Sequence, residues 1–289
     1  MSLKQYEAFV KTAELGSLTK AAQALGSTQS RISHILGDME EKYGFRLLER
    51  SRGGVKLTPQ GEVLYEKMRE ILSLDGALQS IIEDMSGANG GIIRLGAFTS
   101  VAVHWLPSII NAFTADRPNA EFKMYSGDYH DMEQWLKDGT IDLGFIALPA
   151  PEGVSYAPLF EDELVAILPK GHRLAEYDAV PVSEMAREPF ITILESSGHD
   201  IRRALGDITP DVKFTTKDDY AVIAMVEQNM GVSIVPRLLI KGRENNLEVR
   251  SLSPRASRTI ALASKARGES SPVIDAFIKT AVKWCKENA

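Results

Sequence analysis

Cysteine is almost absent from this sequence, since Cys285 is the one cysteine among 289 residues. A single thiol can form neither an intrachain disulfide nor a cage of cysteine metal ligands. The fold must therefore depend on an ordinary hydrophobic core, which a chain of this length with 44% hydrophobic residues can bury. The composition, with 25% charged residues, is globular and excludes collagen-like and disordered classes.

A long apolar segment is also missing. The longest stretch without Asp, Glu, Lys or Arg covers 95–115, and it contains polar residues that the hydrocarbon of a membrane would disfavour, such as Thr99, His104 and Asn111. Residues 1–6 lack the basic end and apolar run of a secretory signal. We therefore expect a soluble, cytoplasmic protein with no membrane partner.

Motifs of catalysis and metal binding are lacking as well. The five histidines do not occur at a spacing such as His-x-x-x-His. The sequence has no Gly-x-Ser-x-Gly elbow, no Walker loop and no Gly-x-Gly-x-x-Gly after a strand. Cys285 lies beside Trp284 and fits a packing residue better than a nucleophile. We expect no enzymatic activity, no cofactor and no metal site.

The charge is distributed unevenly along the chain. The formal net charge is −6, yet residues 1–60 contain nine Lys or Arg and six Asp or Glu. The N-terminal segment is mildly basic and the rest of the chain is acidic. This difference suggests that the N-terminal segment binds a polyanion. Chance is the alternative, because a surplus of this size is common.

Three amphipathic helices are predicted near the start, over 3–15, 18–25 and 28–43, with Gly16 ending the first. A short helix, a tight turn and a second helix with a polar face form the helix-turn-helix pattern. Such a face can enter the major groove, where Gln can hydrogen-bond a base edge in two places. A solvated surface is the alternative for each residue taken singly. The proposed DNA contacts on this helix are Thr28, Gln29, Ser30, Arg31, Ser33 and His34.

A hairpin wing is predicted next, because two short runs flank Arg52-Gly53-Gly54. Arg50, Arg52 and Lys56 could meet phosphates or the minor groove. A solvated basic loop is the alternative. The proposed DNA contacts of the wing are Arg50 and Arg52.

A long helix is predicted from Thr58 to about Ser86. Leu64, Ile71, Leu78 and Met85 recur every seven residues, and Met68, Leu74, Ile81 and Ile82 widen the stripe. Such a seam is buried against a partner helix or against its own chain. We favour self-association, because no neighbouring segment supplies an equally long apolar helix.

The remaining residues alternate between strands and helices, which indicates an α/β body with a mostly parallel sheet and two subdomains. The predicted strands cover 92–97, 121–125, 143–148, 164–168, 190–194, 213–216, 232–235 and 259–264. The predicted helices lie near 101–115, 129–138, 200–206, 218–229 and 272–287.

The whole sequence resembles the LysR-type transcriptional regulators. The residues that carry the resemblance lie within 3–61: Phe9, Gly16-Ser17-Leu18-Thr19, Ala21-Ala22, Leu25, Gln29-Ser30, Ser33, Glu40, Gly44, Leu47-Leu48, Arg50, Leu57-Thr58 and Gly61. The resemblance implies an α/β protein with an N-terminal winged helix-turn-helix, a dimerising linker helix and a two-lobed body like that of type 2 periplasmic binding proteins. A small effector would sit between the lobes and alter how dimers, or tetramers, engage double-stranded DNA. RNA polymerase is a further candidate partner.

The domain limits follow from this resemblance and from the segment Ala88-Asn89-Gly90-Gly91, whose composition is that of a linker. We predict a DNA-binding domain over 1–58, a linker helix and hinge over 59–88, and an effector-binding domain over 89–289. In that domain, lobe I would cover 89–160 and 259–289, and lobe II 161–258.

Two positions depart from the usual family pattern. Ser30 stands where many members have proline, and His34 stands where arginine is frequent. Serine leaves the first helical turn freer than proline does. Histidine is shorter than arginine and is mostly neutral at pH 7 at its ordinary pKa. The operator preference of relatives therefore does not transfer to this chain.

The effector site is expected where strands of the α/β body end. The first strand is followed by Phe98-Thr99-Ser100, whose hydroxyls and helix-start N–H groups suit a carboxylate. Helix capping and turn formation are the alternatives. The proposed effector contacts are Phe98, Thr99, Ser100, Ser126, Ala147, Ser196, Ser197 and Thr216. Because the set contains no Arg or Lys, we expect a small polar or monocarboxylate metabolite.

Two other classes of protein compete with a regulator. A solute-binding protein would share the two-lobed body, but the predicted winged head and the missing signal argue against it. An enzyme is disfavoured by the missing motifs.

Overall fold

The computed structural model describes residues 2–51, 54–85, 92–194, 197–265 and 271–289. The chain forms two compact units, Met1–Ile82 and Glu83–Ala289. In the described part of the chain, no helix is both long and apolar enough to cross a membrane. The first elements are α1 (Leu3–Leu15), α2 (Leu18–Ala24), α3 (Gln29–Tyr43), β1 (Leu48–Ser51), β2 (Gly54–Leu57) and α4 (Pro59–Met85).

The helices of the N-terminal unit begin and end within one residue of the predicted limits. Gly16 ends α1 in the left-handed conformation, with φ of 58°. The hydroxyls of Ser17 and Thr28 accept hydrogen bonds from the first turns of α2 and α3. The packed side chains include Phe9, Ala22, Ile32, Leu36, Met39, Leu47 and Met68. The three helices therefore share one core with the wing and the start of α4.

Polar contacts join the wing to its neighbours. The Glu40 carboxylate accepts hydrogen bonds from the N–H groups of Leu47 (2.7 Å) and Leu48 (3.1 Å). The Thr58 hydroxyl donates to the Arg46 carbonyl at 2.8 Å and accepts from the Gly61 N–H at 2.9 Å. These bonds fix the start of α4 against the segment that enters β1.

Gly61 lies where α4 crosses that segment, and we expect Gly61→Ala to destabilise the N-terminal unit by about 1–3 kcal/mol. A methyl group there would lie 2.1 Å from the Leu47 carbonyl oxygen, a backbone atom that cannot move alone. The matched control is Gly37→Ala in α3, where nothing lies within 4 Å. The control should be neutral or slightly stabilising, because alanine favours a helix. Urea unfolding followed by circular dichroism checks both, and equal midpoints for Gly61→Ala and the wild type would contradict the expectation.

The apolar stripe of α4 divides between two roles. Met68 is buried in the core of the N-terminal unit, and Leu64 and Leu72 pack against that core. Ile71 and Leu78 are 41% and 53% exposed. With Leu74 and Ile82, which are also exposed, they form an uncovered apolar face on one side of α4. Leu64 therefore packs against its own chain. The exposed apolar face farther along α4 is open to a partner helix.

The C-terminal unit continues the fold with alternating strands and helices. Its strands are β3 (Ile92–Ala97), β4 (Glu121–Ser126), β5 (Leu143–Ala147), β6 (Val154–Leu168), β7 (Ala179–Pro181), β8 (Phe190–Ile193), β9 (Val212–Thr216), β10 (Ser233–Pro236) and β11 (Glu248–Lys265). Its α-helices are α5 (Thr99–His104), α6 (Leu106–Thr114), α7 (Tyr129–Asp138), α8 (Val182–Met185), α9 (Ser197–Leu205), α10 (Asp219–Glu227) and α11 (Pro272–Asn288).

The main sheet is mixed, so the prediction of a mostly parallel sheet is wrong. Its strand order is β10-β6-β11-β5-β3-β4, with β7 beside β11. β3 is parallel to β4 and β5, but β11 is antiparallel to both β5 and β6. The reason is that β6 and β11 are long shared strands that run in opposite directions. The sequence showed only their apolar halves, because the other halves consist mostly of half-buried and exposed residues.

Two lobes are built around these shared strands. The core of lobe I contains Leu95, Phe145, Ile260 and Phe277, from β3, β5, β11 and α11. The cores of lobe II contain residues of β8, α9, α10 and β10. β6 contributes Phe160 to the first core and Leu164 to the second. The chain therefore passes between the lobes along continuous strands.

Candidate functional site

Helix α3 turns an apolar stripe inward and leaves a polar face exposed. Ile32, Leu36 and Met39 are buried. The other side of the helix carries the predicted contacts, of which Ser33 is half-buried and the rest are exposed: Thr28, Gln29, Ser30, Arg31 and His34. Thr28 also caps the helix, because its hydroxyl accepts a hydrogen bond from the Arg31 N–H at 3.3 Å. The face is thus presented for contact with a partner.

An acidic residue also lies on this face of α3, next to the predicted contacts. Asp38 lies one turn after His34, and its carboxylate is 3.1 Å from Nδ1 of the imidazole. Both side chains are largely exposed. Spacing of four residues on a helix could have revealed this pair. The imidazole is therefore already partnered within α3.

The wing is a two-stranded antiparallel hairpin. β1 and β2 pair with Glu49 opposite Lys56, and Lys56 is exposed. Arg52 lies outside the described residues, as does the side chain of Arg50. In the described part of the hairpin, Lys56 therefore supplies an exposed basic side chain, and Glu49 lies opposite it on the other strand.

The carboxyl ends of β3, β4 and β5 lie along one edge of the main sheet. Ala97 pairs with Ser126, and Ala147 ends β5 next to β11. Phe98 and Ser100 are buried just after β3. This edge therefore gathers most of the predicted effector contacts of lobe I.

The predicted contacts of lobe II are less complete. Thr216 ends β9, and its hydroxyl accepts a hydrogen bond from the Asp218 N–H at 3.1 Å. Ser196 lies outside the described residues, as does the side chain of Ser197. Thr216 therefore stabilises a turn, which was the alternative to effector contact for these residues.

Arg258, a residue that the predicted set of effector contacts does not include, is buried beside two of them. It is 3% exposed and faces Asp162, which is 1% exposed, at the directly opposed position of β6 and β11. Its Nε and Nη2 donate to Asp162 at 3.0 and 2.8 Å, and Nη2 also donates to the Ser100 hydroxyl at 2.8 Å. Its guanidinium lies 4.6 Å from the centre of the Phe98 ring. Two residues predicted to bind effector, Phe98 and Ser100, therefore contact a buried cation.

A hydrogen-bonded chain continues from Arg258, on the shared strand β11, through Tyr129 of lobe I to α9 of lobe II. Arg258 Nη1 donates to the Tyr129 hydroxyl at 2.7 Å, and that hydroxyl donates to Asp200 at 2.6 Å. Tyr129 begins α7 of lobe I, whereas Asp200 belongs to α9 of lobe II and is 3% exposed. Arg203 Nη2 lies 3.3 Å from the other Asp200 oxygen and 2.6 Å from the Ser257 carbonyl. The two lobes are thus joined directly by side chains across the cleft.

Burial sets the protonation of this cluster. It raises the pKa of Tyr129, so the phenol remains a donor. Burial alone would disfavour the charged guanidinium, but Tyr129, Asp162 and Asp200 raise the pKa of Arg258. Burial also raises the pKa of Asp219, against the opposing effects of the Thr99 hydroxyl and the Arg258 charge. Arg258 is therefore the fixed positive charge around which the carboxyl groups are arranged.

The sequence offered little sign of Arg258 and Asp162. Asp162 stands between Glu161 and Glu163, an acidic run that reads as a solvated turn. Arg258 directly precedes the apolar run of 259–264. Only the pairing of β6 with β11 brings them together, across 96 positions of sequence. Within the described residues, no group of three or more His, Cys, Asp or Glu is placed to hold a metal ion.

Comparison with known proteins gives a consistent result over nearly the whole chain. Residues 3–62 match the model described as bacterial regulatory helix-turn-helix protein, lysR family, and residues 86–286 match the LysR substrate binding domain. The chain is 29% identical to the uncharacterized HTH-type transcriptional regulator YvbU of Bacillus subtilis, over 97% of this chain and 98% of YvbU. It is 27% identical to the HTH-type transcriptional regulator MetR of Escherichia coli, over 92% of this chain and 85% of MetR.

Solved structures show the same architecture. Full-length OxyR of Pseudomonas aeruginosa superposes with a TM-score of 0.70 at 23% identity, covering 97% of this chain and 94% of OxyR. Full-length BenM superposes with a TM-score of 0.61 at 26% identity, covering 99% and 98%. The curated relatives are named as transcriptional regulators and not as enzymes. The chain belongs to the LysR family of transcriptional regulators, with an N-terminal winged helix-turn-helix that binds DNA and a two-lobed effector-binding domain.

Proposed function

We propose that this regulator reads double-stranded DNA with the exposed face of α3, supported by the wing. The observation that carries the proposal is the polar face over a fully buried stripe, held by a core shared with the wing. Gln29 would read a base edge, and Ser30, Ser33 and His34 would contact bases or sugars. Arg31, Arg50 and Arg52 would meet phosphates, with Thr28 at the start of the helix.

Footprinting of the DNA upstream of its own gene, with and without candidate metabolites, tests this function. We expect two protected half-sites, about one or more helical turns apart, because paired readers require paired sites. A metabolite that acts as effector should change the protected pattern. Protection of no sequence at low salt would contradict the proposal.

Replacing Gln29 by alanine should relax base preference at one position of the operator by about 1–3 kcal/mol. A bidentate amide contact is lost, while phosphate contacts are unchanged. Gln79→Ala, an exposed glutamine of α4, is the matched control. Binding measured on operators with each base at each position checks the effect. An equal loss on all sequences would mean that Gln29 only positions the helix.

We further propose that α4 pairs with a second copy through Leu64, Ile71, Leu78 and Met85, and that dimers assemble into tetramers. The exposure of Ile71 and Leu78 supports this assignment. Leu64 contributes mainly to its own core, and the side chain of Met85 lies outside the described residues.

The proposed domains are 1–58, 59–88 and 89–289, with lobe I over 89–160 and 259–289 and lobe II over 161–258.

The effector, in this proposal, is a small polar or monocarboxylate metabolite bound between the lobes near Phe98, Thr99 and Ser100. Ser126, Ala147, Ser196, Ser197 and Thr216 are the other proposed contacts. The protein would act in the cytoplasm without catalysis, and RNA polymerase is the proposed partner at the promoter. A solute-binding role without DNA is not favoured, because the N-terminal unit is a helix-turn-helix.

A further inference from the structure

A carboxylate of the protein itself lies between the lobes, near the proposed effector contacts. The carboxylate of Asp200, on α9 of lobe II, accepts a 2.6 Å hydrogen bond from the Tyr129 hydroxyl of lobe I. Arg258 donates to the same hydroxyl at 2.7 Å. Arg203 approaches the second oxygen at 3.3 Å. Asp200 is thus held as a bound carboxylic acid would be held, by donors that converge from both sides of the cleft.

These donors form a site for an anion independently of Asp200. A phenol that accepts from a guanidinium becomes a stronger donor, since hydrogen bonds in a chain polarise one another. Charge-assisted bonds to a carboxylate are short and strong. Lobe I and β11 hold Tyr129, Ser100 and Arg258 in place. Asp200 approaches Tyr129 from α9. Moving α9 would remove Asp200 together with Arg203, and would leave Tyr129, Ser100 and Arg258 in place.

The charges of the cleft favour a carboxylate over a cation as the entering group. Arg258 is neutralised by Asp162, and Arg203 lies beside Asp200. An incoming carboxylate that replaced Asp200 would leave the number of negative charges beside Tyr129 unchanged. An incoming ammonium that displaced Asp200 would lie near the guanidinium groups of Arg258 and Arg203. Both groups would then be less neutralised, so they would repel the ammonium.

We propose that Asp200 is an internal substitute for the carboxylate of the effector, so that a small monocarboxylate binds by displacing Asp200 from the Tyr129 hydroxyl. This inference depends on the proposed effector cleft and names the group that occupies it. Displacement breaks the direct bond between α7 and α9, which joins the lobes. Effector binding is therefore coupled to the position of α9 relative to lobe I through the side chain of Asp200.

Binding of simple probes to the full-length protein tests this inference. The probes are propionate, its neutral analogue propionamide and its cationic analogue propylammonium, titrated by calorimetry at constant ionic strength. Asp200→Ala should bind propionate at least about tenfold more tightly than the wild type, because the competing carboxylate is gone. Propionamide and propylammonium should show no such gain. Asp207→Ala, just after α9 and exposed, is the matched control and should behave as the wild type.

Further variants separate binding from folding. Adding Tyr129→Phe to Asp200→Ala should abolish the gain for propionate. Asp200→Asn, which keeps the size of the side chain, replaces Asp200→Ala if the alanine variant does not fold, and should bind propionate at least about threefold more tightly than the wild type. An unchanged propionate affinity in the folded variant, or a gain for propylammonium instead, overturns the inference. Footprinting the same variants separates it from the proposed function, since DNA protection without a propionate gain leaves the regulator intact.

Discussion

Arg258→Met is expected to lower the free energy of unfolding of the C-terminal unit by about 3–5 kcal/mol, because it leaves a buried carboxylate without its counter-ion. Asp162 is 1% exposed and would retain one described partner, the N–H of Leu238 at 3.0 Å. The Tyr129 and Ser100 hydroxyls would also lose the donor that orients them. Methionine fills similar space, so the loss is mainly electrostatic.

Chemical unfolding followed by tryptophan fluorescence measures this effect, since Trp105 lies in the core of lobe I. Arg202→Met, on the exposed side of α9, is the matched control and should change stability by less than about 0.5 kcal/mol. The double variant Asp162→Leu with Arg258→Met should recover much of the loss, because removing both charges removes the unpaired one. A single-variant loss below about 1 kcal/mol would mean that water reaches Asp162 and solvates it.

Ile71→Asp is expected to convert dimers to monomers and to weaken operator binding by about 100-fold or more. Ile71 is 41% exposed in the middle of the uncovered face of α4, with Leu74 and Leu78 on the same side. A charge placed in such an interface would be buried without a partner. Two linked DNA-binding domains bind a paired site about 10²–10⁴-fold more tightly than one domain does, and loss of pairing removes this gain in affinity.

The control for this prediction is Ser73→Asp, which adds the same charge on the opposite side of α4, in a half-buried position. Sedimentation velocity gives the oligomeric state, and titration of operator DNA gives the affinity. If Ile71→Asp sediments as the wild type does, the exposed face of α4 is not the pairing surface. The Leu64 position should tolerate a conservative change to methionine without loss of pairing, because Leu64 packs against its own unit.

The N-terminal unit could be predicted from the sequence because its signals are local. Gly16, Ser17 and Thr28 mark helix ends within a few residues of where they occur, and the stripe of α3 repeats at helical spacing. The division of α4 could not be predicted. Leu64 and Ile71 have the same place in the seven-residue pattern, and only the packed core distinguishes them.

The centre of the effector cleft could not be predicted for a related reason. Ser100 was found because it follows a strand, and that rule uses neighbouring residues. Its partner Arg258 lies 158 positions away and meets it only through the pairing of long strands. Pairing over such a distance leaves no periodic trace in a single sequence. The same limit explains why the sheet was expected to be mostly parallel.

A salt titration tests whether α3 and the wing form a DNA-binding surface that is presented in pairs. Fluorescence anisotropy would follow the full-length protein binding to its own upstream duplex and to a shuffled duplex of equal length. We expect tighter binding to the upstream duplex, two chains per site, and log K falling linearly with log salt by about 0.9 per phosphate contact. Equal affinity for both duplexes, or a protein that stays monomeric and binds neither at low salt, would contradict it.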